Sequence, residues 1–162
     1  MALSESTQAT SQDDLSLLIA AGGIVDAGSV QAVREGLRVL QEFLAAFNAR
    51  DAQRWSRTLQ YPHVRLSAGE VRLWQTPEDY VATNDVQDFA ATGWAYSRWD
   101  WIRPVQASAE KAHFALQFTR YSADERPIGS YQALYVVTKK DGRWGVQARS
   151  SYAGVTRPGA AF

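Results

Sequence analysis

The chain has 162 residues, 17 Lys+Arg against 17 Asp+Glu and a formal net charge of zero, which is one domain's worth. With 46% apolar and 21% charged residues, fibrous and wholly disordered readings fall away, and without a basic excess so does a nucleic acid as main partner. The absence of cysteine removes disulfides, zinc-thiolate sites, iron-sulfur clusters and cysteine nucleophiles, and lets the chain fold in a reducing or an oxidising compartment.

Residues 1–28 read as a tail or a short helix. Met1 to Asp14 carries Ser, Thr, Gln and acids but no Lys or Arg, unlike a secretory signal. The apolar run Leu15 to Ala21 meets Gly22-Gly23, too short to cross a bilayer, so no membrane is expected and the cytoplasm is the expected location. From Ser29, a candidate N-cap, the residues Val30, Val33, Leu37, Leu40, Leu44 and Phe47 recur at spacings of three and four, the stripe of a core-facing helix. Gly36 within it, and a run shorter than three heptads, argue against a coiled coil. Asp51 can cap a second short helix with Trp55 and Leu59 on one face, stopped by Pro62.

The period then falls to two. Val64, Leu66, Val71 and Leu73 flank a turn at Ala68-Gly69, a hairpin signature. Thr76-Pro77-Glu78-Asp79 starts a third helix, with a Thr cap, Pro in the first turn and two carboxylates facing the dipole, running to about Ala91 and ending at Gly93. Four long strands follow, about 94–105, 109–121, 129–139 and 143–153, with turns marked by Pro104, by Asp124-Glu125-Arg126-Pro127 and by Lys140-Asp141-Gly142. Helices followed by an antiparallel meander make an α+β domain over 29–154, with 155–162 as a C-terminal tail.

Two stretches, Phe43-Leu-Ala-Ala-Phe-Asn-Ala-Arg-Asp51 with Trp55 and Leu59, and Tyr131-Gln-Ala-Leu-Tyr-Val-Val-Thr-Lys-Lys-Asp-Gly-Arg-Trp144, together with this element order, resemble the NTF2-like superfamily over roughly residues 30 to 154. Nuclear transport factor 2, ketosteroid isomerase, scytalone dehydratase and SnoaL-type polyketide cyclases share that cone. The resemblance implies N-terminal helices packed on a curved, mainly antiparallel sheet, a pocket between helices and concave face, and homodimers through the convex face. It says little of reaction, because one fold hosts many. Ketosteroid isomerase places a base Asp on the first strand and a protonated Asp on the penultimate one. Counting within the shared stretches, those positions fall near Ser67 and Tyr135 here: Ser67 is no such base, whereas Tyr135 can donate to an oxyanion. The Asp-Arg-Asp set of the superfamily's epoxide hydrolases finds only Asp100, and the two His, Asp and Tyr of scytalone dehydratase find His63, His113, Asp100 and tyrosines in placements that do not match.

The expected small-molecule site is therefore Phe43, Phe47, Trp55, Ser67, Tyr131, Tyr135, Gln147 and Arg149. Strict alternation puts Tyr131, Ala133, Tyr135, Gln147, Arg149 and Ser151 on the pocket face, and Leu134, Val136, Trp144, Val146 and Ala148 on a face buried in a dimer; with the faces reversed, Arg149 is solvated. Alternation also gives Trp99 and Trp101 one face and Trp94 the other, as core, interface or aromatic wall. His63, Asp100, His113 and Tyr135 are the weak catalytic candidates. No cofactor or metal is expected: phosphate loops and dinucleotide fingerprints are missing and the two histidines stand apart. An enzyme and a ligand binder stay open beside a non-catalytic association module with a filled cone.

Overall fold

The computed structural model describes residue 16 and residues 25–153; the remainder of the N-terminal tail and the C-terminal tail lie outside the described residues. Helix α1 (Ala27–Asn48) buries Val33, Leu37, Leu40 and Phe47 of the predicted stripe, together with Phe43, while Val30 and Leu44 are half-buried. Its cap is Asp26 and not Ser29. Asp26 Oδ1 accepts from the Ser29 amide at 2.7 Å, and Ser29 Oγ takes the Asp26 amide at 2.8 Å, a reciprocal box that sets Ser29 three residues inside. A carboxylate outcompetes a hydroxyl there because its bond is charge-assisted and faces the positive end of the helix.

Asp51 caps α2 (Ala52–Ser56), accepting from the Arg54 amide at 2.9 Å, and Trp55 is buried. The helix stops at Ser56, well before Pro62. That proline sits inside β1 (Leu59–Ser67) after a cis peptide bond, in the stretch between Leu59 and Val64 where pairing to the neighbouring strand is irregular and no ladder amide is missed. The turn at Ala68 and Gly69, both at positive φ, leads into β2 (Glu70–Trp74) as expected.

The single third helix is two. Thr76 caps α3 (Pro77–Thr83), but Asn84 Nδ2 donates to the Tyr80 carbonyl at 2.7 Å and ends it. Asp85 then accepts from the Gln87 amide and starts α4 (Val86–Ala90). Strands β3 (Tyr96–Ser108), β4 (Lys111–Tyr121), β5 (Pro127–Lys140) and β6 (Arg143–Ser151) complete a six-stranded sheet in the order β2-β1-β6-β5-β4-β3. Among the described strands, the β1–β6 pair alone is parallel. Pro104 marks no turn: it lies within the edge strand β3, beside an irregularity that spares it a ladder bond. The sheet is curved and unclosed, and α1 packs into its hollow.

Two one-residue irregularities overturn the alternation expected on the long strands. In β6, Val146 pairs with Val137 and Ala148 with Val136, so Gln147 is skipped. Trp144 and Val146 are therefore buried on the same side as Arg149 and Ser151, where strict alternation sets them on the dimer face. In β3, Trp99 pairs with Phe118 but Trp101 with Gln117, so Trp99 turns inward and Trp101 does not share its face.

Candidate functional site

The hollow beneath α1 does not close completely. A slot runs between Phe43, Leu44 and Phe47 of α1, Trp55 of α2 and the concave sheet, and the empty space in and around it, open solvent included, is about 430 Å³. It is a narrow slot, since the centre of a water molecule reaches only about 30 Å³ of it. The sheet contributes Arg65, Ser97, Trp99, Phe118, Arg120, Tyr135, Arg149 and Ser151. Register explains the convergence: Arg65, Arg149 and Tyr135 are lateral neighbours on β1, β6 and β5, and Ser97 faces Arg120 across β3 and β4.

Three arginines in one wall, all buried, are the outstanding feature of the slot, and among the described residues no Asp or Glu lines it. A buried guanidinium needs a partner, because desolvation removes its water without replacing it. Arg149 has neutral partners: its Nε donates to His63 Nε2 at 3.1 Å and its Nη2 to the Tyr80 hydroxyl at 2.9 Å, while the rings of Phe43, Trp55, Tyr80 and Tyr135 surround it at 5.3 to 6.0 Å. Burial pulls its pKa down, but Tyr80 and Tyr135 more than offset that, and the group stays charged. Arg65 donates to the Ala153 carbonyl at 3.4 Å, and burial followed by the charge of Arg149 lowers its pKa to about 10.

Arg120 differs. It lies over the rings of Phe89, Tyr131 and Phe118 at 4.8, 5.0 and 5.6 Å, yet its buried Nε has no hydrogen-bond partner among the described residues. Burial lowers its pKa. Opposite it, Ser97 is clamped by Asn48, whose side chain accepts the Ser97 amide at 2.8 Å and donates to its carbonyl at 2.9 Å. Ser97 Oγ already accepts from Trp94 Nε1 at 2.9 Å, which leaves its own proton to donate.

No protein-family model matches the chain, and no curated protein sequence does. Solved structures do. An NTF2-like protein of unknown function from Pseudomonas putida KT2440 superposes with a TM-score of 0.63 at 14% identity, over 80% of this chain and 92% of that one. An NTF2-like protein with a cystatin-like fold from Novosphingobium aromaticivorans gives 0.62 at 7% identity, over 80% and 86%. The chain has an NTF2-like fold. A third structure, from Shewanella frigidimarina NCIMB 400 and provisionally described as a ketosteroid isomerase, gives 0.54 at 13% identity over 70% and 91%. At these identities the likeness concerns the fold alone.

Within this NTF2-like cone, Phe43, Phe47, Trp55, Tyr135 and Arg149 of the expected site line the slot. Three others do not. Ser67 spends its hydroxyl on the Ala153 carbonyl at 2.5 Å, Tyr131 packs on Phe118 and under Arg120, and Gln147, displaced by the irregularity in β6, bonds Thr138 at 3.1 Å and the Pro62 carbonyl. Of the catalytic candidates, His63 is fully buried with both ring nitrogens engaged, Nδ1 donating to the Val146 carbonyl at 2.9 Å and Nε2 accepting from Arg149. Burial and then the Arg149 charge hold its pKa well below the ordinary value, so it is neutral. Asp100 accepts from Gln117 and Thr119 away from the slot, and His113 faces Gln106 on the other side of the sheet. Arg65, Ser97 and Arg120 were not singled out by sequence; polar residues at inward strand positions between large apolar neighbours were the available signal.

Proposed function

We propose that the slot of this NTF2-like domain binds a small organic anion with a flat apolar body, an aromatic carboxylate being the simplest member of the class. The observation that carries this reading is the pair Arg120 and Arg149, buried in a wall of aromatic rings with no carboxylate among the described lining residues. A ligand of that class supplies the missing negative charge, and its ring meets Phe43, Phe47, Trp99 and Phe118. Binding is favoured over proton-transfer catalysis because His63 is used up by its neighbours and, among the described residues, no carboxylate lines the slot. Calorimetric titration tests it: benzoate should bind in the micromolar to millimolar range and benzamide, equal in shape but neutral, at least tenfold more weakly. Equal affinities, or no heat from either, would refute the anion reading.

A second reading concerns the convex face, and a separate observation favours it. Val71, Leu73, Leu66 and Leu134 are 63, 54, 41 and 41% exposed on that face, with Leu66 opposite Val71 and Val64 opposite Leu73. We propose that a second copy of the chain covers this patch, since exposed apolar area of this kind marks an interaction surface.

A further inference from the structure

We infer that the anionic head group is held at the Arg120 and Ser97 end of the slot, not at Arg149; this rests on the anion-binding reading above and assigns its polar subsite. Arg149 is a poor receptor, since His63 and Tyr80 take its Nε and Nη2 and rings enclose its faces. Arg120 lies against the rings of Phe89, Phe118 and Tyr131, and its buried Nε has no hydrogen-bond partner among the described residues. The Nε edge of a guanidinium, like its Nη1–Nη2 end, can grip a carboxylate through two parallel bonds.

Ser97 supplies the second component. It is the register partner of Arg120, it is 2% exposed, and its hydroxyl, having accepted from Trp94, donates next to whatever occupies the slot. The Asn48 clamp on its backbone fixes it before any ligand arrives. With the head group there, Phe118 and Trp99, one row further along the paired strands, border the ring. The site thus selects a planar, bidentate acceptor on a single ring, a carboxylate in preference to a spherical halide or a neutral amide.

The test measures benzoate affinity and apo melting temperature together, for the full chain and for Arg120→Met, Arg120→Gln and Ser97→Ala. The expected result is a loss of at least about tenfold in affinity for Arg120→Met, about threefold to tenfold for Ser97→Ala, and an apo melting temperature for Arg120→Met equal to or above the parent's. Undiminished benzoate binding by Arg120→Met, with the parent binding normally, would overturn the assignment and leave the anion reading standing. Failure of the parent to bind benzoate or phenylacetate would overturn both. A lower apo melting temperature for Arg120→Met would make Arg120 a structural residue and count against the site. If Arg120→Met does not fold, Arg120→Gln and Ser97→Ala decide, and unchanged affinity in either overturns the assignment.

Discussion

Arg149 and His63 form a pair in which each settles the other's state. The imidazole donates through Nδ1 to Val146 and accepts the Arg149 proton through Nε2, so only the neutral Nδ1-protonated tautomer fits. Removing Arg149 strands His63 Nε2 and shortens the bonding of the Tyr80 hydroxyl. Arg149→Met should therefore destabilise the fold by about 1–3 kcal/mol in urea denaturation, in contrast to Arg120→Met. The neutral histidine also sets a pH dependence. Below about pH 6.5 the unfolded chain protonates this histidine while the folded one, its pKa depressed by burial and Arg149, does not. The unfolded state then binds more protons, so stability is flat above that pH and falls as pH drops through the window, by up to about 1.4 kcal/mol per unit. His113, also lowered, acts weakly in the same direction. Urea midpoints for the parent and His63→Gln between pH 7.5 and 5 check this. The parent's decline should be visibly steeper, and parallel curves would contradict it.

At the scale of elements, α1 is held by its cap and by a close approach to the sheet. Asp26→Ala removes one side of the reciprocal box and should cost about 1 kcal/mol. Gly36 is the closer constraint, for a Cβ built there lies 2.5 Å from the ring of Phe114. Gly36→Ala gains about 1 kcal/mol of helix propensity and pays overpacking of about 1–3 kcal/mol, so the melting temperature should fall or stay level; a clear rise would mean that Phe114 yields freely. The element order, the stripe on α1 and the hairpin at Ala68-Gly69 were legible in the sequence because each is local in origin. The two strand irregularities were not. A skipped residue at Gln147 depends on which strand lies alongside, and that one slip turned Trp144 and Val146 from a supposed dimer face into core. The split between α3 and α4 was missed for a smaller reason, a capping asparagine and aspartate side by side at Asn84 and Asp85.

For the whole molecule, the helices and sheet leave a slot whose walls are aromatic and whose charged groups, among the described residues, are cationic, and an exposed apolar face on the other side of the same sheet. Arg149 was legible as a pocket residue from its position on the last strand, while Arg65 and Arg120 were hidden among the interspersed charges of a neutral chain. If the convex face pairs two copies, Leu73→Glu should convert a dimer to a monomer in sedimentation analysis without altering benzoate binding, whereas a monomeric parent would refute the pairing. Among the described residues no helix is long and apolar enough to cross a membrane. The most direct test of the anion site is a crystal structure of the protein grown with 4-bromobenzoate and located by the anomalous signal of bromine. The expected result is one bromine within the slot and the carboxylate on Arg120 and Ser97. A slot that stays empty at saturating ligand, or a carboxylate turned toward solvent, would contradict it.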